Sequence, residues 1–194
     1  MEMLIKWILY GVVALIAVID LVVLVKLIEY STCVLIMHQP PLVPSNRRLR
    51  AAVVQEIHDH YPDARRMTEV GSGYGGLVRA LAAACPRAHV YGIENMPVAA
   101  WVSQIAALGR PNAHTVHRDA FAYLDGGARF DVAVAYLGPD LTPRLADYAK
   151  NFPVLISCDF EIPNRRPTRV IDVGGGYTRY RGKKYPHRLY VYEF

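Results

Sequence analysis

The sequence predicts an α/β fold: a Rossmann-like sheet of seven strands that ends in an antiparallel hairpin, preceded by one N-terminal transmembrane helix. Strand-like and helix-like segments alternate between residues 67 and 160. A turn with four glycines in six residues, GSGYGG at 71–76, follows the first strand, and residues 7–28 are almost continuously apolar. Repeated β-α units imply a parallel sheet with helices on both faces.

Residues 1–30 are predicted to form a transmembrane anchor. Within residues 7–28, only Asp20 and Lys26 are charged. As a helix, residues 4–28 would be roughly 37 Å long, which is enough to cross a bilayer with some tilt. A signal peptide is less favoured because a single lysine precedes the run and no small-residue cleavage site follows it. A buried soluble helix would have to hide apolar side chains on every side.

Charge is divided unevenly along the chain. Residues 1–30 hold two lysines against three acids, so they carry −1 of the formal net charge of +5 and the remainder carries +6. Arginines at 47, 48 and 50 follow the span, and the positive-inside rule then predicts a single-pass protein whose domain is cytoplasmic. The basic domain favours an anionic neighbour, although solubility alone explains its charge equally well. Three scattered cysteines favour a reducing compartment.

A proline-rich linker is predicted at residues 31–46, and the globular domain at residues 47–194. Ser45 is expected to cap the first helix of that domain, which has apolar residues at i, i+4 and i+8. Strands and helices then alternate, and the last two segments resemble a hairpin around a turn rich in glycine and lysine. Strands are expected at 67–71, 88–94, 113–119, 129–137, 153–160, 168–180 and 187–194, and helices at 74–85, 97–108 and 142–150.

The glycine turn raises the question of which ligand it holds. GSGYGG fits the dinucleotide pattern G-x-G-x-x-G, although that match alone is weak, and no Lys-Ser/Thr follows as a P-loop would require. Gly71, Gly73 and Gly75 allow the backbone to turn tightly and lie close to a ligand at the carboxyl ends of the strands. Plain turn formation is the alternative.

Acids at three strand ends favour a ligand without phosphate. Glu69, just before the first glycine, would repel a pyrophosphate but attract a cationic amine. Glu94 ends the second strand and can accept both hydroxyls of a ribose. Asp119, with Ala120 and Phe121 behind it, offers an acceptor beside an apolar plate, which suits adenine. Together these features describe S-adenosylmethionine; the alternatives are surface acids for Glu69 and Glu94 and a helix cap for Asp119.

These motifs resemble the class I S-adenosylmethionine-dependent methyltransferases. The likeness rests on E-x-G-x-G-x-G, on the acid after the second strand and on RDAF at 118–121; it covers about residues 40–194. The terminal hairpin is similar to the sixth and seventh strands of that family. The resemblance implies methyl transfer with S-adenosyl-L-methionine as cofactor. The residues that it assigns to the cofactor are Glu69, Gly71, Ser72, Gly73, Gly75, Glu94, Asn95, Asp119 and Ala120.

Three further segments resemble a narrower group. They are PPLVPSN before the domain, YLGPDLTPRL after the fourth strand and SCDFEIPNRRP after the fifth. Small bacterial methyltransferases carry similar segments, as do the mitochondrial lysine methyltransferases that modify the ATP synthase c-subunit and the adenine nucleotide translocase. This resemblance implies a protein-lysine N-methyltransferase. The chain departs from the group at Tyr74, Gly75 and Gly76, where an acid and a Gly-Arg pair are usual, and the departure concerns the acceptor pocket.

Candidates for the acceptor side are Tyr136, Asp140 and Asp159, beside the fourth and fifth strands. Residues 136–139 stand where amide and base methyltransferases carry Asn/Asp-Pro-Pro-Tyr, and the missing motif disfavours glutamine and adenine acceptors. Asp140 is equally expected as a helix cap. Asp159 is expected to orient a lysine amine, which must lose a proton before transfer; an exposed loop acid is the alternative for Asp159 and Glu161.

Partners follow from charge and from the apolar leader. The basic run 165–188, with interleaved tyrosines, is predicted to face anionic lipid headgroups rather than RNA, with an ordinary solvated face as the alternative. A protein substrate is expected, including a membrane protein, and the seven histidines give no metal constellation. Two other functions stay open: methylation of a lipid or small membrane-borne molecule, and non-catalytic binding of S-adenosylmethionine.

Overall fold

The structure, a computed structural model, describes residues 2–31 and 43–194. The chain divides into two compact units, Met1–Leu42 and Val43–Phe194. Most of the predicted proline-rich linker, residues 32–42, lies outside the described residues.

The first unit contains helix α1, Glu2–Ser31. Its segment Ile5–Ile28 has 24 residues and is long and apolar enough to cross a membrane. Large apolar side chains, among them Trp7, Leu15 and Ile19, are exposed on this helix. A helix that is apolar all round needs an apolar environment, although signal sequences and buried core helices share its length and composition.

The second unit is built on a seven-stranded sheet with strand order β3-β2-β1-β4-β5-β7-β6. The first five strands in sequence pair in parallel, and β7 pairs antiparallel with both β5 and β6. The predicted parallel sheet and terminal antiparallel hairpin are therefore confirmed. The strands are β1 (Arg66–Val70), β2 (His89–Glu94), β3 (Ala113–His117), β4 (Val132–Ala135), β5 (Val154–Cys158), β6 (Arg169–Tyr180) and β7 (Lys183–Glu193).

Helices cover both faces of the sheet. Alternate residues of β4 enter different cores: Val132 and Val134 pack with residues of α2 and α3, and Ala133 and Ala135 pack with residues of α5 and the 3-10 helix. All four residues of β4 are buried, as expected of a parallel strand between two helical layers. The helices are α2 (Arg47–His60), α3 (Gly76–Ala84), α4 (Pro97–Ala106), α5 (Ala120–Asp125) and a 3-10 helix (Thr142–Tyr148).

Helix boundaries differ from the sequence prediction at several places, and α4, expected at 97–108, ends at Ala106. Asn46, not Ser45, caps α2: its Oδ1 accepts a hydrogen bond from the amide of Leu49 at 2.8 Å. Helix α3 begins at Gly76 because Gly75 is left-handed, with φ 70°. The helix expected at 142–150 is the shorter 3-10 helix.

Strand register brings the candidate site residues to one edge. Val70 of β1 is aligned with Ile93 of β2 and with Ala135 of β4. Ala135 is in turn aligned with Ser157 of β5. The residues that follow these strands, from the glycine turn to the loop after β5, therefore lie at the carboxyl edge, where α/β sheets bind ligands.

Candidate cofactor and acceptor sites

The glycine turn between β1 and α3 has a backbone that only glycine adopts easily. Gly71, Gly73 and Gly75 have φ of 73°, 53° and 70°. A Cβ on Gly71 would lie 2.5 Å from Cδ2 of Leu137, and one on Gly75 would collide with Oγ of Ser103. A side chain at either of these two glycines would therefore strain the backbone and displace a neighbouring side chain.

Backbone and side-chain hydrogen bonds fix the turn against the end of β2. The amides of Gly71 and Ser72 donate to the carbonyl of Ile93 at 3.0 and 3.1 Å. The amide of Gly73 donates to Oε2 of Glu94 at 2.7 Å, and that of Met96 donates to Oε1 at 2.8 Å. A carboxylate has about four acceptor positions, so holding these amides is compatible with accepting ligand hydroxyls as well.

Glu69 lies under the same turn and is buried, with 4% of its surface exposed. Burial raises the pKa of its carboxyl from 4.5 to about 8, and the nearby charge of Glu94 adds to this effect. A hydrogen bond from the amide of Val78 at 3.1 Å and the charge of Arg50 oppose it. With this pKa, Glu69 is mostly neutral at pH 7 even though the charge of Arg50 acts on it. A cationic ligand group would favour its ionised form.

The two carboxyls are not surface acids, since Glu94 is also buried, with 3% exposed. These two buried carboxyls beside the tight glycine turn, which we call the acidic pocket edge, disfavour a phosphate group there. The arrangement fits a ligand with vicinal hydroxyls at Glu94 and a cationic group at Glu69.

Asp119 occupies the cap of α5. It is exposed, and its Oδ1 accepts from the amide of Ala122 at 2.9 Å. The helix-cap alternative is therefore observed, and contact with an adenine ring stays a prediction. Phe121 is buried, and the guanidinium carbon of Arg144 lies 3.8 Å from its ring centroid. Its ring packs into the core rather than forming an open plate beside Asp119.

The other residues assigned to the cofactor lie beside the glycine turn and the end of β2. Ser72 is buried, and its Oγ has no hydrogen-bond partner among the described residues. A Cβ on Gly92 would lie 2.6 Å from that Oγ, so the side chain of Ser72 faces β2 under the turn. Asn95 and Ala120 are half-buried, and the carbonyl of Asn95 lies 3.3 Å from Nε2 of His117.

Asp159 follows β5 directly and is buried, with 1% exposed and φ 65°. Its carboxylate accepts from the hydroxyl of Thr178 at 2.7 Å, from Nδ1 of His187 at 2.8 Å and from the amide of Arg188 at 3.1 Å. The exposed-acid alternative is wrong for Asp159, whereas Glu161 is exposed. The hydrogen bonds hold the left-handed backbone in place.

The hydrogen bonds of Asp159 extend in two directions. The hydroxyl of Tyr136 is bonded to that of Thr178, and the Nδ2 of Asn46 lies 3.1 Å from Nε2 of His187. An amide nitrogen only donates, so Nε2 is the acceptor and the proton of His187 is on Nδ1, facing Asp159. Sequence reasoning did not identify Thr178, His187 or Asn46, because no local pattern marks them.

Asp140 ties the loop after β4 to the β6–β7 hairpin. Its Oδ2 accepts from the hydroxyl of Tyr180 at 2.8 Å and lies 3.0 Å from Nη2 of Arg181. The cap position of the 3-10 helix is Leu141, so the helix-cap alternative for Asp140 is wrong. The close approach of this loop to the hairpin needs Gly138, because a Cβ there would lie 2.8 Å from the ring of Tyr180.

An aromatic cluster joins the loops after β4 and β5 to the β6–β7 hairpin. The ring of Phe160 lies 6.2 Å from Tyr136, 6.1 Å from Tyr180 and 4.9 Å from Tyr185, measured between centroids. Burial raises the pKa of the Tyr136 hydroxyl, and the charge of Asp159 adds to this, so Tyr136 stays protonated. Phe160 itself is buried, whereas the three tyrosines are half-buried, and partly accessible aromatic faces attract cations such as the head of a lysine.

No family model matches this sequence, and no curated protein matches it. The chain is similar to an RNA methyltransferase from Salinibacter ruber solved with S-adenosyl-L-homocysteine: TM-score 0.59, 20% identity, 78% of this chain and 93% of that one. It is also similar to a candidate O-methyltransferase from Klebsiella pneumoniae, with TM-score 0.61, 13% identity, and 79% and 83% of the chains covered.

A candidate RNA methyltransferase from Pyrococcus horikoshii is similar as well, with TM-score 0.56, 12% identity, and 74% and 83% of the two chains covered. The structural similarity to these three proteins shows the fold, and at sequence identities of 12–20% it shows the fold alone. The chain has the fold of the class I S-adenosylmethionine-dependent methyltransferases, as its sequence predicts.

Proposed function

We propose that this protein is a methyltransferase that uses S-adenosyl-L-methionine, is anchored in a membrane by α1 and methylates lysine side chains of a protein. The observation that carries the proposal is the acidic pocket edge: buried Glu69 and Glu94 around the glycine turn. The fold, and the Salinibacter ruber structure with S-adenosyl-L-homocysteine, support the same cofactor.

Each acid has a distinct role in this proposal. Glu94, held by the amides of Gly73 and Met96, accepts the ribose hydroxyls. Glu69 becomes ionised beside the cationic methionine part, because a cation offsets the burial that otherwise keeps it neutral. S-adenosyl-L-methionine supplies the methyl group when bound, and the chain contributes mainly position.

Lysine as the acceptor is supported by the aromatic cluster and by the loop segments that resemble lysine methyltransferases. The missing Asn/Asp-Pro-Pro-Tyr motif disfavours planar amides. In this proposal Tyr136 accepts a hydrogen bond from the lysine amine, since Thr178 donates its own proton to Asp159 and therefore accepts that of Tyr136. Asp159 fixes that direction through Thr178 and so orients the acceptor, and water takes the amine proton.

Membrane attachment is supported by Ile5–Ile28 and by the arginines that follow it. The positive-inside rule places the domain in the cytoplasm. An acceptor on a membrane protein, or a lipid headgroup, would then lie near the domain, and for that reason a lipid or small membrane-borne substrate is the second candidate.

One experiment separates these functions. Membranes from cells that lack the gene are incubated with the purified full-length protein and S-adenosyl-L-methionine labelled on its methyl group. Label on lysine of a membrane protein is the expected result. Label in lipid extract alone would favour the second candidate, and label in RNA would overturn both. A protein that binds the cofactor and transfers nothing would be a binding module. The Glu94→Ala variant is the negative control.

A further inference from the structure

Helix α4 presents large apolar side chains to the outside. Trp101, Ile105 and Leu108 are 62%, 48% and 76% exposed. Trp101 and Ile105 are spaced i and i+4 and so lie on one side of the helix, and Leu108 lies two residues beyond its end at Ala106. Leu108 continues the helical turn, since its amide donates to the carbonyl of Ile105 at 3.1 Å. We call these three residues the α4 stripe.

Packing on the inner side explains why the stripe faces outward. The residues of α4 that are buried against the sheet are small: Ala99, Ala100 and Ser103. Ser103 approaches the glycine turn closely and is hydrogen-bonded to Thr115 of β3 at 3.0 Å. Larger side chains would not fit between α4 and the sheet. The large apolar residues of the stripe therefore cannot be accommodated on the inner side of the helix. A cluster of large exposed apolar side chains marks an interaction surface more often than a chance arrangement.

The segment between Glu94 and Asp119, which contains the stripe, has basic but no acidic residues. Arg110 follows Leu108 closely and is exposed. A tryptophan beside aliphatic side chains and a cation is the composition of segments that lie at a membrane interface. An anionic bilayer surface complements both the apolar side chains and the positive charge.

We propose that the α4 stripe lies in the interfacial layer of an anionic bilayer, with Arg110 at the level of the lipid phosphates. The inference rests on the proposed membrane anchorage by α1 and goes beyond it. A contact through α4 adds a second point of attachment to the bilayer and so limits which acceptors the carboxyl edge of the sheet reaches.

The two tryptophans of the chain allow the two contacts to be tested separately. The full chain is reconstituted in vesicles of phosphatidylcholine and phosphatidylglycerol that carry bromine on the upper acyl carbons. Trp7→Phe leaves only Trp101, in α4, and Trp101→Phe leaves only Trp7, in α1. We expect bromine to quench the fluorescence of both variants, and Trp101 to lose most of its quenching when phosphatidylcholine replaces phosphatidylglycerol.

Serine substitutions test the stripe itself. In the Trp7→Phe chain, Ile105→Ser with Leu108→Ser is expected to abolish most of the quenching of Trp101. Val170→Ser is the matched control, since Val170 of β6 is 51% exposed but lies outside the stripe. Binding of S-adenosyl-L-methionine to each variant checks that the domain is folded.

Several results would overturn the inference. If bromine quenches Trp7 but not Trp101, α1 is in the membrane and α4 does not contact lipid. If neither is quenched, the anchorage fails as well. Quenching of Trp101 that is equal in both lipids would exclude an anionic surface. A blue-shifted Trp101 that bromine does not reach, in a protein that sediments as a dimer, would assign the stripe to a second copy of the chain.

Discussion

Replacing Glu69 with glutamine tests the acidic pocket edge directly. The folded protein raises the pKa of this carboxyl from 4.5 to about 8, mainly by burial. At about 1.4 kcal/mol per pKa unit, ionised Glu69 therefore destabilises the ligand-free protein by up to about 5 kcal/mol. Glutamine has a similar shape, can accept from the amide of Val78 and does not ionise.

The sign of the pH dependence follows from the raised pKa. Protonated Glu69 contributes its full stabilisation at pH values below the pKa of this group in the unfolded chain. This stabilisation is lost as pH rises through the pKa of about 8 that Glu69 has in the folded protein. Between pH 6 and pH 9 the free energy of unfolding of the native chain should fall by about 2 to 3 kcal/mol, and that of Glu69→Gln should not show this fall. That difference corresponds to roughly 5–10 °C in melting temperature for a domain of this size.

Thermal unfolding of the full chain in mild detergent, measured from pH 6 to pH 9, provides the assay. The melting temperature of Glu69→Gln should exceed that of the native chain by an amount that grows with pH. Saturating S-adenosyl-L-methionine should restore the melting temperature of the native chain at high pH, and it should have little effect on the melting temperature of the variant. Glu161→Gln, at an exposed acid, is the control and should follow the native profile. Parallel profiles for Glu69→Gln and the native chain would refute the reasoning.

Four other outcomes are expected. Glu94→Ala should weaken binding of S-adenosyl-L-methionine by about tenfold or more, because two ribose hydrogen bonds to a charged group are lost; unchanged affinity by calorimetry would mean that the cofactor lies elsewhere. Without residues 1–30, the protein should leave the membrane fraction at moderate salt, and retention at high salt would mean that α1 is not the main anchor. Asp159→Asn should keep cofactor affinity and lower the transfer rate by about 10²-fold or more, and Tyr136→Phe should act in the same direction; normal turnover of Asp159→Asn in single-turnover assays would make this acid purely structural. The native rate should rise with pH as more of the lysine becomes neutral, and a flat profile would argue against an amine acceptor.

Local chemistry explains how much of the fold could be predicted. The strands lie within a few residues of the apolar runs, and the turn is where four glycines occur, because periodicity and glycine content act over short distances. The choice between Ser45 and Asn46 as the cap of α2 was not decidable locally, since both side chains cap well and only the helix start selects one. The 3-10 helix after β4 was predicted as an ordinary helix, because the local sequence pattern does not distinguish the two kinds of helix.

The candidate site was predictable only in part. The glycine turn and the acids at the ends of β1 and β2 follow from the strand pattern, because parallel strands end at one edge. The raised pKa of Glu69 was not predictable, since it depends on burial by residues distant in sequence. The hairpin contacts of Asp140 were also missed, because they join loops 40 residues apart.

The sequence by itself determined the order of the elements, the apolar helix and the chemistry of the pocket edge, because each depends on neighbouring residues. Only the tertiary structure decided that Asp159 is buried and hydrogen-bonded to Thr178 and His187, 19 and 28 residues away. It also decided which side of α4 faces outward. A period of 3.6 residues marks an apolar stripe, but close packing of small residues against the sheet determines whether that stripe is core or surface.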